Sequence, residues 1–270
     1  MRKTTKSNRT TRNYGSRTFA VGETITNDTR ISGLNNNDLI IGSPGSGKTG
    51  GYVVPALQNI DGSLVVSDTK GQLARRFRRE LEDKGYKVRV LDFVNPDKSC
   101  GYNPLRFIRR LDDGSIREQD IISMAKLICP LLDQHEPIWD MCASGYLAFL
   151  IGYCMEEDGP EDQNLCRVSE LRHQFSRPNG DLLFADWVEE HPDTLAAKKY
   201  HEIMANRTAE KMWASIEGFV SSHLEPFNCR EMMNIFARDD EDSFDINDLG
   251  RERRCSSSTR AIRTGPLTLS

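Results

Sequence analysis

Apolar and polar positions along the chain follow two rhythms, and the change between them falls near residue 115. In the first part, short β-branched runs bounded by turn residues predict strands: "DLIIG" (38–42), "SLVVSD" (63–68) and "YKVRVLDF" (86–93). Between the first two, residues 47–59 predict a helix. Between the second and third, "GQLARRFRRELEDKG" (71–85) predicts a helix closed by glycine. Strands alternating with helices imply a parallel, doubly wound α/β sheet with right-handed crossovers.

Beyond residue 115 the period becomes helical. "EQDIISMAKLICPLLD" (118–133) repeats apolar residues at Ile121, Ala125, Ile128 and Leu132, and "TAEKMWASIEGFV" (208–220) does so at Met212, Ile216, Phe219 and Val220. No strand is expected over 115–238, so this part reads as an all-α domain. Its tryptophans, Trp139, Trp187 and Trp213, are assigned to core packing rather than to base stacking. The stretch 141–155 is uncharged, but it is shorter than the roughly 20 residues needed to cross hydrocarbon. It therefore predicts a buried helix. Residues 1–32 are polar, rich in Thr, Arg and Asn, and predict a loose lead-in.

Composition narrows the class. A formal charge of −4 over 270 residues argues against a uniformly basic nucleic-acid binder. The seven cysteines are odd in number and form no C-x-x-C pair, which fits reduced thiols in the cytosol better than disulfides or a zinc site. The basic N-terminus has no apolar segment behind it and does not read as a signal peptide. Arg75, Arg76, Arg78 and Arg79 crowd one predicted helix, but Glu80, Glu82 and Asp83 follow at once. A solvated face is the reading adopted, with single-stranded DNA contact as its alternative.

The chemistry lies in Gly42, Ser43, Pro44, Gly45, Ser46, Gly47, Lys48 and Thr49, which match G-x-x-x-x-G-K-[ST] at every fixed position. Glycines let backbone N–H groups curl round a phosphate, and the helix that follows turns its positive end to the anion. Lys48 is placed to reach the β- and γ-phosphates of ATP, and Thr49 to hold Mg²⁺. Gly50, Gly51 and Pro55 predict a short or kinked helix after the loop. Efficient hydrolysis also needs a carboxylate at the end of a neighbouring strand. Only Asp68 and Asp92 end apolar runs, neither is followed by a second acid, and no catalytic residue is assigned.

These elements, in order, resemble the type IV secretion coupling proteins, TraG-like ATPases of conjugative DNA transfer. "GLNNNDLIIGSPGSGKT" and "GGYVVPALQ" resemble the family's P-loop region. "SLVVSDTKGQL" resembles its Asp-Pro-Lys-Gly-Glu element, with Thr69 and Gln72 as departures. "GYKVRVLDFVNPDKSCGYNPL" resembles the next strand and Tyr-Asn-Pro turn, and "SFDINDLG" the return to the nucleotide-binding domain. The resemblance implies a partial RecA-like P-loop NTPase sheet with an inserted all-α domain. The expected organisation is a lead-in (1–32), the first part of the nucleotide-binding domain (33–114), the all-α domain (115–238), a return (239–254) and a tail (255–270). It further implies a homo-hexameric, ATP- and Mg²⁺-dependent DNA translocase at the cytoplasmic face of the membrane, handing a relaxase–DNA complex to the secretion channel. Family members usually carry N-terminal membrane helices, which are not expected in this chain, and a second acidic motif further on. Two other readings stand beside this one: a complete small P-loop phosphotransferase using Asp68, and a non-enzymatic docking module for a relaxase or DNA.

The tail, "CSSSTRAIRTGPLTLS" (255–270), is polar and aperiodic where the family resumes an apolar strand. Codons can be chosen for it that, read from the third base of the cysteine codon, give Leu-Phe-Leu-His-Ala-Ser-Asp-Thr-Asp-Arg-Thr-Phe-Asp-Val, similar to the family's continuation. The expectation is an out-of-frame tail that cannot pair centrally in a parallel sheet, leaving an open sheet edge and an aggregation-prone chain.

Overall fold

The computed structural model describes residues 15–20, 22–59, 62–131, 137–238, 240 and 242–249, together with the backbone of 258–264. Residues 1–14 of the predicted lead-in and most of the tail lie outside the described residues.

The rest of the lead-in is ordered, contrary to expectation. Strands β1 (Ser16–Ala20) and β2 (Glu23–Thr26) form an antiparallel hairpin, followed by one turn of helix, α1 (Thr29–Ser32). Asp28 caps α1 by accepting from the Arg30 N–H, and Gly33 closes it at φ 67°. Composition missed the hairpin because its stabilising contacts are polar, as shown below for Arg17.

The predicted strand at 38–42 has no ladder partner among the described residues, and Leu39 and Ile41 are 83% and 84% exposed. After the loop the chain makes a π-helical turn (Thr49–Val53) and then α2 (Val54–Gln58), the short, interrupted helix that the glycines and proline foretold. Pro55 has no N–H to offer Gly51, and its ring would crowd that carbonyl in a regular α-turn. A wider turn relieves the crowding.

Only the end of the second predicted strand forms a ladder, as β3 (Ser67–Asp68). Helix α3 (Gln72–Asp83) follows, with Ala74, Phe77 and Leu81 on its buried stripe and Gly85 (φ 81°) just past its end. Strand β4 (Tyr86–Asp92) buries Tyr86, Val88 and Leu91. Leu57 of α2 and Ala74, Phe77 and Leu81 of α3 pack with Tyr86 and Val88 into one small core.

The tail overturns an expectation. Strand β5 (Ser258–Thr264) lies between β3 and β4 and is parallel to both, with Tyr86 opposite Ser258 and Asp92 opposite Thr264. A ladder is made of backbone N–H and C=O groups that every non-proline residue carries, so a polar sequence can fill a slot open on both sides.

The second part is helical, with no strand among its described residues. Helix α4 (Glu118–Ile128) leads to α5 (Ile138–Glu157), the spine of the domain, surrounded by α6 (Leu165–Phe175), α7 (Leu182–Glu190), α8 (Leu195–Arg207) and α9 (Glu210–Asn228). The core also takes Leu105, Ile108 and Ile116, so it begins before the predicted boundary at 115. Helix α5 is apolar all round and, at 20 residues, longer than the uncharged stretch suggested. By length and composition it could cross a membrane, but 67% of that window is buried within the fold. Gly152 lets α8 come close: a Cβ there would lie 3.1 Å from that of Ala196. Tyr146, Phe149, Phe175, Phe184, Tyr200 and Trp213 form a continuous aromatic cluster, most of whose ring pairs are tilted or edge-on. The packing role expected of the tryptophans holds for Trp187 and Trp213, and Trp139 lies against the same core.

Helix α10 (Arg230–Phe236) returns the chain to the sheet. Ile235 and Phe236 pack with Leu91, Cys100 and Cys166, and Phe93 stacks on Phe236 at 6.0 Å. This third, small core joins the helical part to the face of β4 that α3 does not cover.

Candidate functional site: the loop at residues 42–49

The loop leaves the extended segment 38–42, which was expected to be a strand, and ends in the π-helical turn that stands where an α-helix was expected. Gly45 (φ 81°) and Gly47 (φ 84°) adopt left-handed backbone that other residues resist. Gly42 is closely approached: a Cβ there would lie 2.4 Å from the Ser46 hydroxyl, which would have to turn away. Ser46 N–H donates to the Ser43 carbonyl (3.2 Å), and Gly51 N–H to the Gly47 carbonyl (2.7 Å), so the bend is braced at both ends. Pro44 and Gly45 form the turn at its crest. Lys48 folds back over the loop, its Nζ donating to the carbonyls of Gly42 (2.5 Å) and Ser43 (2.9 Å). Thr49 is the first residue of the π-helical turn and is exposed.

A phosphate group fits this arrangement. The two left-handed glycines free the crest of side chains, the ammonium group lies over the loop, and Thr49 presents a hydroxyl where the helix begins. All eight predicted residues are contiguous and solvent-accessible, and Lys48 is the most shielded of them.

The two strand-end acids are otherwise engaged. Asp68 is 5% exposed, and its Oδ2 accepts from the N–H groups of Leu73 (2.6 Å) and Ala74 (3.2 Å) at the start of α3. Gly71, at the N-cap position, has no side chain to do this, so Asp68 caps the helix from a distance. Asp92 accepts from the N–H groups of Val94 (2.9 Å) and Asn95 (3.0 Å) and organises the turn after β4. Among the described residues there is no cluster of three or more His, Cys, Asp or Glu side chains suited to a metal ion.

The ordered series of motifs finds its counterpart at the level of families. The family of "Type IV secretory system Conjugative DNA transfer" matches residues 1–255. The chain belongs to that family. No curated protein matches it.

In this conjugative DNA-transfer protein, three residues beside the loop were not singled out by sequence. Arg17 of β1 donates through Nε to Asp38 Oδ2 (2.7 Å) and through Nη2 to Asp38 Oδ1 (3.1 Å), a two-pronged ion pair. Tyr52 donates its hydroxyl to Asp38 Oδ2 (2.8 Å). The Arg17 guanidinium holds the Asp38 carboxyl below its usual range, while desolvation, reinforced by the bond to Asp38, raises Tyr52. A lone Arg in a basic segment, an Asp before an apolar run and a Tyr after a P-loop carry no pattern that links them.

The arginines of α3 behave as a solvated face. Arg78 pairs with Glu82 at 3.3 Å, and Arg76 stands over the ring of its neighbour Phe77. The six described cysteines are free, and four of them are buried. Burial pushes the Cys129 thiol up to about 12 and Cys166 to about 11, which makes both poor nucleophiles.

Proposed function

We propose that this family member binds a nucleoside triphosphate, ATP by the family resemblance, through Gly42, Ser43, Pro44, Gly45, Ser46, Gly47, Lys48 and Thr49. The observation that carries the reading is the loop itself: left-handed Gly45 and Gly47, with the Lys48 ammonium held over the bend. Backbone N–H groups of the loop would take the phosphate oxygens, and Lys48 would exchange its two carbonyl partners for them. The Thr49 hydroxyl would be a ligand to Mg²⁺, which, when bound, neutralises charge between the β- and γ-phosphates. The coupling of a relaxase–DNA complex to the secretion channel, the hexameric state and a place at the cytoplasmic face of the membrane are proposed with it, on the resemblance.

The chain on its own is proposed to bind without turning over, because both strand-end acids are committed to backbone. That commitment also counts against the small-phosphotransferase reading, which needs Asp68 at a metal. Calorimetric titration of ATP tests the binding. Lys48→Ala should weaken it roughly 10- to 100-fold, the worth of one charged hydrogen bond. Equal affinity in the two proteins would overturn the proposal.

A further inference from the structure

The P-loop is flanked by two arms that have little regular structure of their own. The preceding arm, 38–42, is without ladder partners among the described residues, and the following arm, Thr49–Val53, is a π-helical turn. A loop that binds phosphate by backbone N–H groups depends on those groups being held in place beforehand, since ordering them on binding would cost affinity.

One carboxylate spans both arms. Asp38 stands four residues before the first glycine of the loop and Tyr52 three residues after Thr49, yet the Tyr52 hydroxyl reaches Asp38 Oδ2 at 2.8 Å. Arg17 takes both oxygens of the same carboxylate. Arg17 is fixed in turn: Nη1 donates to Asn27 Oδ1 (3.1 Å) and Asn36 Oδ1 (2.9 Å), and Nη2 to the Asn35 carbonyl (3.3 Å). Asn36 Nδ2 donates to the Asn27 carbonyl at 3.0 Å, which ties the turn before Asp38 to the hairpin. Only 15% of the Arg17 side chain and 5% of the Asp38 side chain are exposed, so the pair is shielded from water and less screened than a surface pair. A shielded carboxylate stripped of its cation is costly, so the pair resists separation.

We propose that Arg17, Asp38 and Tyr52 are positioning residues of the nucleotide site: a clamp, anchored in the N-terminal hairpin, that holds the two arms of the P-loop at the separation at which its backbone receives phosphate. The proposal rests on the nucleotide-binding reading above, and it gives the β1–β2 hairpin a task in that site. It concerns phosphate rather than base or sugar, because the clamp straddles the phosphate loop.

The test measures the affinities of ATP and of inorganic pyrophosphate, which meets only the loop, for the full chain and for Tyr52→Phe, Asp38→Asn and Lys48→Ala. Melting temperatures are recorded alongside. Tyr52→Phe removes one hydroxyl, retains the ring and should leave the fold intact even if Asp38→Asn does not. It is expected to weaken ATP and pyrophosphate by the same factor, about 3- to 10-fold, as one hydrogen bond would. In a Lys48→Ala background the effect of Tyr52→Phe should shrink, because both changes act on the same phosphate contacts. A merely structural role would lower the melting temperature and leave the affinity of the folded protein unchanged. If Lys48→Ala weakens binding but Tyr52→Phe binds ATP and pyrophosphate like the unaltered chain, the clamp is overturned and the nucleotide site stands. If Lys48→Ala binds as the unaltered chain does, the nucleotide reading falls and the clamp with it.

Discussion

Asp68 shows how one side chain can be legible as a residue and misleading as a role. An acid at the end of an apolar strand invites a metal, yet its buried Oδ2 receives two backbone N–H groups at the head of α3. Whether such an acid faces a ligand or a helix terminus depends on where the following turn directs the chain, and Gly71 in the left-handed region decides it here. We predict that Asp68→Ala lowers stability by roughly 1–2 kcal/mol, as loss of a helix cap does, with ATP affinity of the folded protein unchanged. Urea unfolding and calorimetry read the two effects separately. A large loss of affinity with full stability would return Asp68 to the metal. The bend of the loop was legible because Gly45 and Gly47 are demanded by local backbone geometry. Arg17, Asp38 and Tyr52 were not, because their relation exists only after the hairpin has folded against the loop.

At the scale of elements, periodicity served where one face is buried and the other wet. Helix α3 follows its i, i+4 pattern of Leu73, Phe77 and Leu81, and β4 follows its β-branched run. It failed where tertiary pairing decides. Residues 38–42 read as a strand but have no ladder partner among the described residues, while the polar segment Ser258–Thr264 reads as none and pairs on both sides. A central parallel strand is normally a near-continuous apolar run, whereas this one reads Ser-Thr-Arg-Ala-Ile-Arg-Thr. The slot and the sequence in it disagree, and the family match stops at residue 255. We predict that the gene, read one frame over from the cysteine codon, supplies an apolar strand for this slot and, further on, an apolar run ending in Asp-Glu or Asp-Asp. Sequencing decides it: an early stop in that frame, or no such run downstream, contradicts the prediction.

At the scale of the whole molecule, the helical part has a large, well-filled core around α5, and the part built from α2, α3 and β4 has a thin one. Leu39, Ile41 and Val65, in runs that read as buried strands of an α/β sheet, are exposed. The helical core was largely readable from its 3.6-residue period. The joint made by Phe93, Phe227, Phe236 and Leu91 was not, because its members come from distant segments. The central proposal is that the loop of this conjugative DNA-transfer protein receives the phosphates of ATP while the neighbouring acids are engaged elsewhere, so that ATP would be bound without being consumed. The most direct measurement follows phosphate release with Mg²⁺ under ATP concentrations at which calorimetry shows the site to be filled. The account predicts saturated binding with release no faster than in the Lys48→Ala protein. Sustained release that Lys48→Ala abolishes would contradict it.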